Sequence, residues 1–195
     1  MTTAQLLERP RPRVQRLMTA EEFAELPDEG PCELVRGKVV PLSNPGGEHG
    51  LLEFEIGFQI GLHVKQKRLG KVSCGDAGII LERDPDTVRG PDVAFIRAGR
   101  LPSRGRVKGY FKVPPDLCVE VVSPTDRWSE ITEKVEMFLA AGVILVWVLD
   151  PRTHTARVYR KGREVRVVHL DGSLNGEDVL PGFRLSLAEL FAAAE

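Results

Sequence analysis

Two carboxylates sit among apolar neighbours. Asp92 follows Pro91 and opens the run Val93-Ala94-Phe95-Ile96, and Glu120 lies inside Leu117-Cys118-Val119-Glu120-Val121-Val122. A carboxylate among β-branched residues costs free energy unless its charge is compensated, and the Glu120 run reads as a strand buried on both faces. A divalent cation compensates two acids at once, and hard oxygen ligands suit magnesium or manganese. Structural roles fit the same pattern, with Asp92 capping a turn and Glu120 meeting a buried arginine. Lys134 follows on the next helical stretch, bordering its apolar stripe, where a lysine can also lay its stem over the core and keep its ammonium in water. Acids with one lysine suit metal-assisted phosphodiester hydrolysis, in which the acids hold the ion and the lysine steadies the attacking water or the pentavalent charge.

Between the two acidic strands runs a loop with Arg97, Arg100, Arg104, Arg106, Lys108 and Lys112 and no acid before Asp116, a candidate phosphate-binding patch. Other chemistries find no support. There is no GxxxxGK[ST], no GxGxxG after a strand, no GxSxG and no HExxH, and the four histidines share no metal-ligand spacing. His49 fits a capping or surface role unless the start of its helix faces Asp92.

Several elements must position these groups. Thr19-Ala20-Glu21-Glu22 has the form of a capping box and predicts a short helix ending at Pro27-Gly30. Glu33 to Val40 predicts two strands folded about Arg36-Gly37, with Glu33 as a third acid. A helix is expected from about Glu48 to Arg68, with Leu51, Leu52, Ile56, Phe58, Ile60, Leu62 and Val64 on a broad apolar side. Val72 to Leu81 reads as a strand broken at Gly75-Gly78, and Glu82 to Asp86 as a turn. Thr125 or Asp126 can cap a helix to about Ala141 that buries Ile131, Val135, Phe138 and Leu139 and stops at Gly142. Strands follow over Val143–Leu149, Thr155–Arg160 and Glu164–Leu170, then a last helix over Leu187–Ala193. The pattern is α/β, with a mixed, curved β-sheet flanked by helices.

The 195 residues are 42% hydrophobic, enough for one sizeable core, and carry 27 basic against 28 acidic side chains, a net charge of −1. That balance excludes a strongly basic nucleic-acid coat protein. Cys32, Cys74 and Cys118 are widely spaced, with no CxxC, so neither zinc nor a disulfide framework is indicated, and a reduced, cytoplasmic setting fits. No apolar run approaches the roughly 20 residues of a membrane span. Residues 1–16, with four arginines and two prolines and no apolar h-region, read as a flexible basic arm before a single domain over 17–195.

Glu33-Leu-Val-Arg-Gly-Lys-Val-Val, Ser43-Asn-Pro with His49, Pro91-Asp92, Glu120-Val-Val-Ser-Pro, Lys134 and Gly142-Val with Trp147 and Asp150-Pro151 occur in an order that resembles the Uma2 family, formerly DUF820, of the PD-(D/E)XK nuclease superfamily. The resemblance spans about Leu17 to Leu190. It implies a restriction-endonuclease-like core, magnesium or manganese held by Asp92 and Glu120, Glu33 as an additional acid, DNA as substrate and a homodimer. The superfamily places a lysine two residues after the second acid, where this chain has Val122, and the family implies Lys134 in that role instead. The family also commonly carries a glutamate and an aromatic before the tryptophan, where this chain has Leu145-Val146. Two alternatives follow: a nucleic-acid- or protein-binding module that has lost turnover, favoured by the charge balance and the displaced lysine, and a metal-dependent hydrolase of another phosphoester.

Overall fold

The structure, a computed structural model, describes residues 16–27, 30–101 and 108–194. Of the expected basic arm only Arg16 is described, and it pairs with Glu22. Helix α1, Ala20–Ala24, starts at the capping box that Thr19 and Glu22 predict. Strands β1, Cys32–Val35, and β2, Lys38–Pro41, form the hairpin about Arg36-Gly37, and helix α2 runs over Gly47–Lys67.

The stretch read as one broken strand is divided between two sheets. Strand β3, Gly70–Cys74, pairs with β6, Val93–Arg97, whereas β4, Ile79–Glu82, pairs with β5, Thr87–Arg89, a strand the sequence reading missed beside the expected turn. The four-stranded sheet has the order β2-β1-β5-β4. The six-stranded sheet adds β7, Leu117–Val121, β8, Leu145–Asp150, β9, Thr155–Tyr159, and β10, Arg166–Val168, in the order β10-β9-β8-β7-β6-β3. It is mixed, since β7 and β8 are parallel and every other pair antiparallel. Strands β11, Ser173–Asn175, and β12, Arg184–Ser186, form a ribbon before helix α4, Leu187–Ala193. The fold is α/β, a mixed multi-stranded sheet flanked by helices.

Helix α3, Trp128–Ala141, crosses between the parallel strands. It begins one or two residues later than a Thr125 or Asp126 cap implies. The Asp126 carboxylate instead accepts the Ser123 N–H at 2.7 Å, which ties it to the turn, and Arg127 takes the cap position without a side-chain bond. Gly142 closes α3 at φ 105°, a left-handed conformation that favours glycine.

The two faces of β7 divide the core. Leu117, Val119 and Val121 pack with Leu145, Trp147 and Leu149 against Leu52, Ile56, Ile60 and Val64 of α2 and against the C-terminal elements. Cys118 and Val122 turn the other way with Val146 and Val148, under Ile131, Val135 and Phe138 of α3. Alternation therefore aims Glu120, between Cys118 and Val122, at α3. Only one row of α2 is buried. Leu51, Phe58 and Leu62, expected on its apolar side, are exposed together with Phe54, because the i, i+4 row of Leu52, Ile56, Ile60 and Val64 alone fills the contact with the sheet. No described helix is long and apolar enough to cross a membrane.

Phe138 is fully buried and lies one turn after Lys134, so it seats α3 on the sheet at the level of that lysine. Phe138→Ala should lower unfolding free energy by about 3–5 kcal/mol, read as a reduced midpoint in urea. A loss below about 1 kcal/mol would show that α3 is held elsewhere.

Candidate active site

Strand register brings the two acids together. Val93 stands opposite Val119 and Ala94 opposite Cys118, so one further step sets Asp92 opposite Glu120. Opposed residues on one face of an antiparallel pair are near neighbours, with Cβ atoms about 5 Å apart. Their carboxylates find different partners. The Val121 N–H donates to Asp92 Oδ2, while Oδ1 lies 3.4 Å from His49 Nε2. Glu120 Oε2 accepts from Lys134 Nζ at 2.9 Å, and Glu120 Oε1 is buried without a hydrogen-bond partner among the described residues.

Lys134 is pulled inward, with its ammonium among acceptors rather than in water. Besides Glu120 it donates to the Gly90 carbonyl at 2.8 Å and lies 3.4 Å from Glu33 Oε1. Glu33, fully within β1, is clamped in turn by Arg89 Nε at 2.7 Å and by the Gly90 N–H at 3.1 Å. The Gly90 backbone is thus gripped from both sides, and a Cβ there would lie 2.2 Å from the Asp76 carbonyl oxygen, so the close approach requires glycine.

Helix α2 contributes from the opposite side. His49 is buried in its first turn, and its Nδ1 pairs with Ser123 Oγ at 2.9 Å. One turn on, Glu53 Oε1 accepts the Gly75 N–H at 2.9 Å. His49, Glu53 and Asp92 each place a ligand atom within 4.8 Å of the others, a group that could hold a metal ion. The sequence reading missed Glu53, although its i, i+4 spacing from His49 was a legible signal. It also missed Asp76, which lines a cavity with Glu33, His49, Asp92, Glu120 and Lys134 from a loop residue at φ 54° and had no signal of its own.

The electrostatics show excess negative charge. Five carboxylates, Glu33, Glu53, Asp76, Asp92 and Glu120, surround the two permanent cations Arg89 and Lys134. Burial, opposed by Lys134 and reinforced by Asp92, pushes the Glu120 carboxyl well above its ordinary range. Burial and the Asp92 charge raise Glu53 and lift Asp76 to about 6. Burial disfavours charge on Lys134, but Glu120, Glu33 and Asp92 outweigh it and raise its pKa. Burial likewise opposes charge on His49, and contact with Asp92 outweighs it. An orphaned buried carboxylate oxygen and a net surplus of acids fit a divalent cation.

Of the basic loop, the described Arg97, Arg100, Lys108 and Lys112 do not line this cavity. Arg100 Nη1 pairs with Asp116 Oδ2 at 2.9 Å, and Arg97 bonds the Asp178 carbonyl at 2.6 Å and lies 3.6 Å from Asp116. Lys108 is exposed, Lys112 lies in the field of Glu21, and Arg104 and Arg106 fall outside the described residues.

The acid surplus sets a pH dependence. Asp76, raised from an ordinary 3.8 to about 6, favours the folded state in its protonated form; its contribution is complete below 3.8 and lost as pH rises through about 6. Glu53 and Glu120 shift in the same direction. Without divalent ions, Tm should therefore fall between about pH 4 and 6. Discounted for solvent screening, the Asp76 share is on the order of 1 kcal/mol, or roughly 2–4 °C. Asp76→Asn should flatten the profile in calorimetric scans, and a Tm rising over this window would contradict the assignment.

Comparisons with known proteins give the family and the fold. The family described as "Uma2: Putative restriction endonuclease" matches residues 20–188. A crystal structure described as a putative nuclease belonging to DUF820, from Anabaena variabilis, is similar at 25% sequence identity with a TM-score of 0.82, over 91% of this chain and 99% of that one. No functionally curated protein matches the chain. With most of its length matched by the family and its fold similar to that of a DUF820 protein, the chain belongs to the Uma2 family.

Proposed function

We propose that this nuclease-fold protein is a metal-dependent endonuclease that hydrolyses DNA phosphodiester bonds in the cavity between α2, α3 and the Asp92 and Glu120 strands. The observation that carries the reading is the unpartnered, buried Glu120 Oε1 beside Asp92, within a cluster whose acids outnumber its fixed cations. Family membership supports the reaction class.

In this reading Asp92 and Glu120 hold magnesium or manganese, with His49 and Glu53 on the far side of Asp92. When bound, the ion polarises the scissile phosphate and acidifies an attacking water. The chain's own groups do the rest. The Val121 N–H and His49 orient the Asp92 carboxylate. Glu33, itself fixed by Arg89, holds the Lys134 ammonium against Glu120 as an auxiliary acid, and Lys134 supplies positive charge where the pentavalent phosphate becomes more negative. Lys134 reaches Glu120 from α3, a geometry that answers the absence of lysine at Val122 and weakens the case for a module without turnover. Asp116 engages Arg97 and Arg100, so contact with the DNA backbone falls to Arg104, Arg106, Lys108 and Lys112.

Supercoiled plasmid with magnesium or manganese tests the assignment. Wild type should nick it, Asp92→Ala should abolish nicking, and Lys134→Gln should slow it roughly 10²–10³-fold, by analogy with loss of one charge-stabilising group. Chelation should stop the reaction. Undiminished metal-dependent nicking by Asp92→Ala would sink the site. If wild type leaves plasmid intact while calorimetry shows heat of magnesium binding that Glu120→Gln removes, the site binds an ion without turnover on DNA.

A further inference from the structure

Helix α2 has two apolar rows, and the sheet covers one. The second consists of Leu51, Phe54, Phe58 and Leu62, whose exposures are 54%, 67%, 51% and 43%. Their spacing of three, four and four residues keeps them on one stripe, and the Phe54 and Phe58 rings stack at 6.1 Å on its surface. A surface helix ordinarily turns polar residues outward, and a contiguous apolar stripe on a soluble fold marks a contact surface.

Charges at its ends select the occupant. Glu48 precedes the stripe and Lys65 follows it, both exposed, and neither has an ion-pair partner among the described residues. When two copies of α2 are laid antiparallel about a two-fold axis at the level of Ile56 and Gly57, Leu51 meets Leu62 of the other copy. Phe54 then lies beside Phe58, and Glu48 meets Lys65, twice over. The stripe is complementary to itself only in that orientation, as a two-fold interface requires. Parallel copies would set Glu48 against Glu48 and Lys65 against Lys65.

We infer that the outer face of α2 is a homodimer interface, in which Leu51, Phe54, Phe58 and Leu62 of two copies pack antiparallel and Glu48–Lys65 pairs fix the direction. The same helix carries His49 and Glu53 inward to the acid cavity, so the pairing ties two such cavities into one particle.

Sedimentation velocity of the full chain at micromolar concentrations, in moderate salt, tests this independently of nuclease activity. Wild type should run as a dimer and Phe58→Glu as a monomer, with unchanged far-UV circular dichroism. Glu48→Lys and Lys65→Glu should each weaken association at least several-fold, and the double variant should restore it, a rescue that a folding defect does not produce. A monomeric wild type would overturn the proposal. So would a Phe58→Glu dimer, which would place the interface elsewhere, or failure of the charge swap to rescue. A wild-type monomer that dimerises only after removal of residues 1–15 would assign the stripe to that segment instead.

Discussion

The site depends on burying Lys134 among acids. Its ammonium reaches Glu120, Glu33 and the Gly90 carbonyl, linking α3 to β7, β1 and the segment before β6. These elements come from both sheets; an apolar cluster already seats α3 on β7, and the ammonium adds the polar links to β1 and Gly90. A buried charge left without its partner costs several kcal/mol, so the fold keeps these elements in register around one cation. Arg89 repeats the arrangement on the other side of Glu33, which is why Glu33 can occupy a buried strand position without an apolar substitute.

The compensation is incomplete, and the shortfall defines the cavity. Two fixed cations face five carboxylates, and one oxygen of Glu120 has no partner among the described residues. A protein selected for stability alone would gain by replacing Asp76 or Glu53 with a neutral residue, since both resist ionisation where they stand. Acids that resist ionisation are kept where the backbone is already tight, at Gly90 and at the left-handed Asp76, an arrangement that could hold a metal ion.

Helix α2 shows how one element can serve three demands. Its Leu52 row fills the sheet contact, its first two turns deliver His49 and Glu53 to the acids, and its remaining row is left apolar and exposed. The broad apolar side visible in the sequence was therefore two rows with different fates. Composition alone does not separate them, because Leu52 and Leu51 are chemically alike and only the position of the sheet decides which is covered.

Local chemistry determined much of the outline. Thr19 and Glu22 start α1, Gly142 stops α3, Arg36-Gly37 turns the first hairpin, and the β7 run declares a strand buried on both faces, each through interactions spanning a few residues. Two acids and a lysine stood out because charge inside apolar runs needs compensation. The partners were decided elsewhere. Register between β6 and β7 sets Asp92 opposite Glu120, alternation turns Glu120 toward α3, and packing of α2 brings His49 and Glu53 from far along the chain to meet Asp92. Asp76 joins through a left-handed loop residue, and Arg97 and Arg100, which looked like a free basic patch, are claimed by Asp116. Electrostatic compensation is a property of distance in space, so the sequence by itself announces which charges need partners, and only the tertiary structure supplies them.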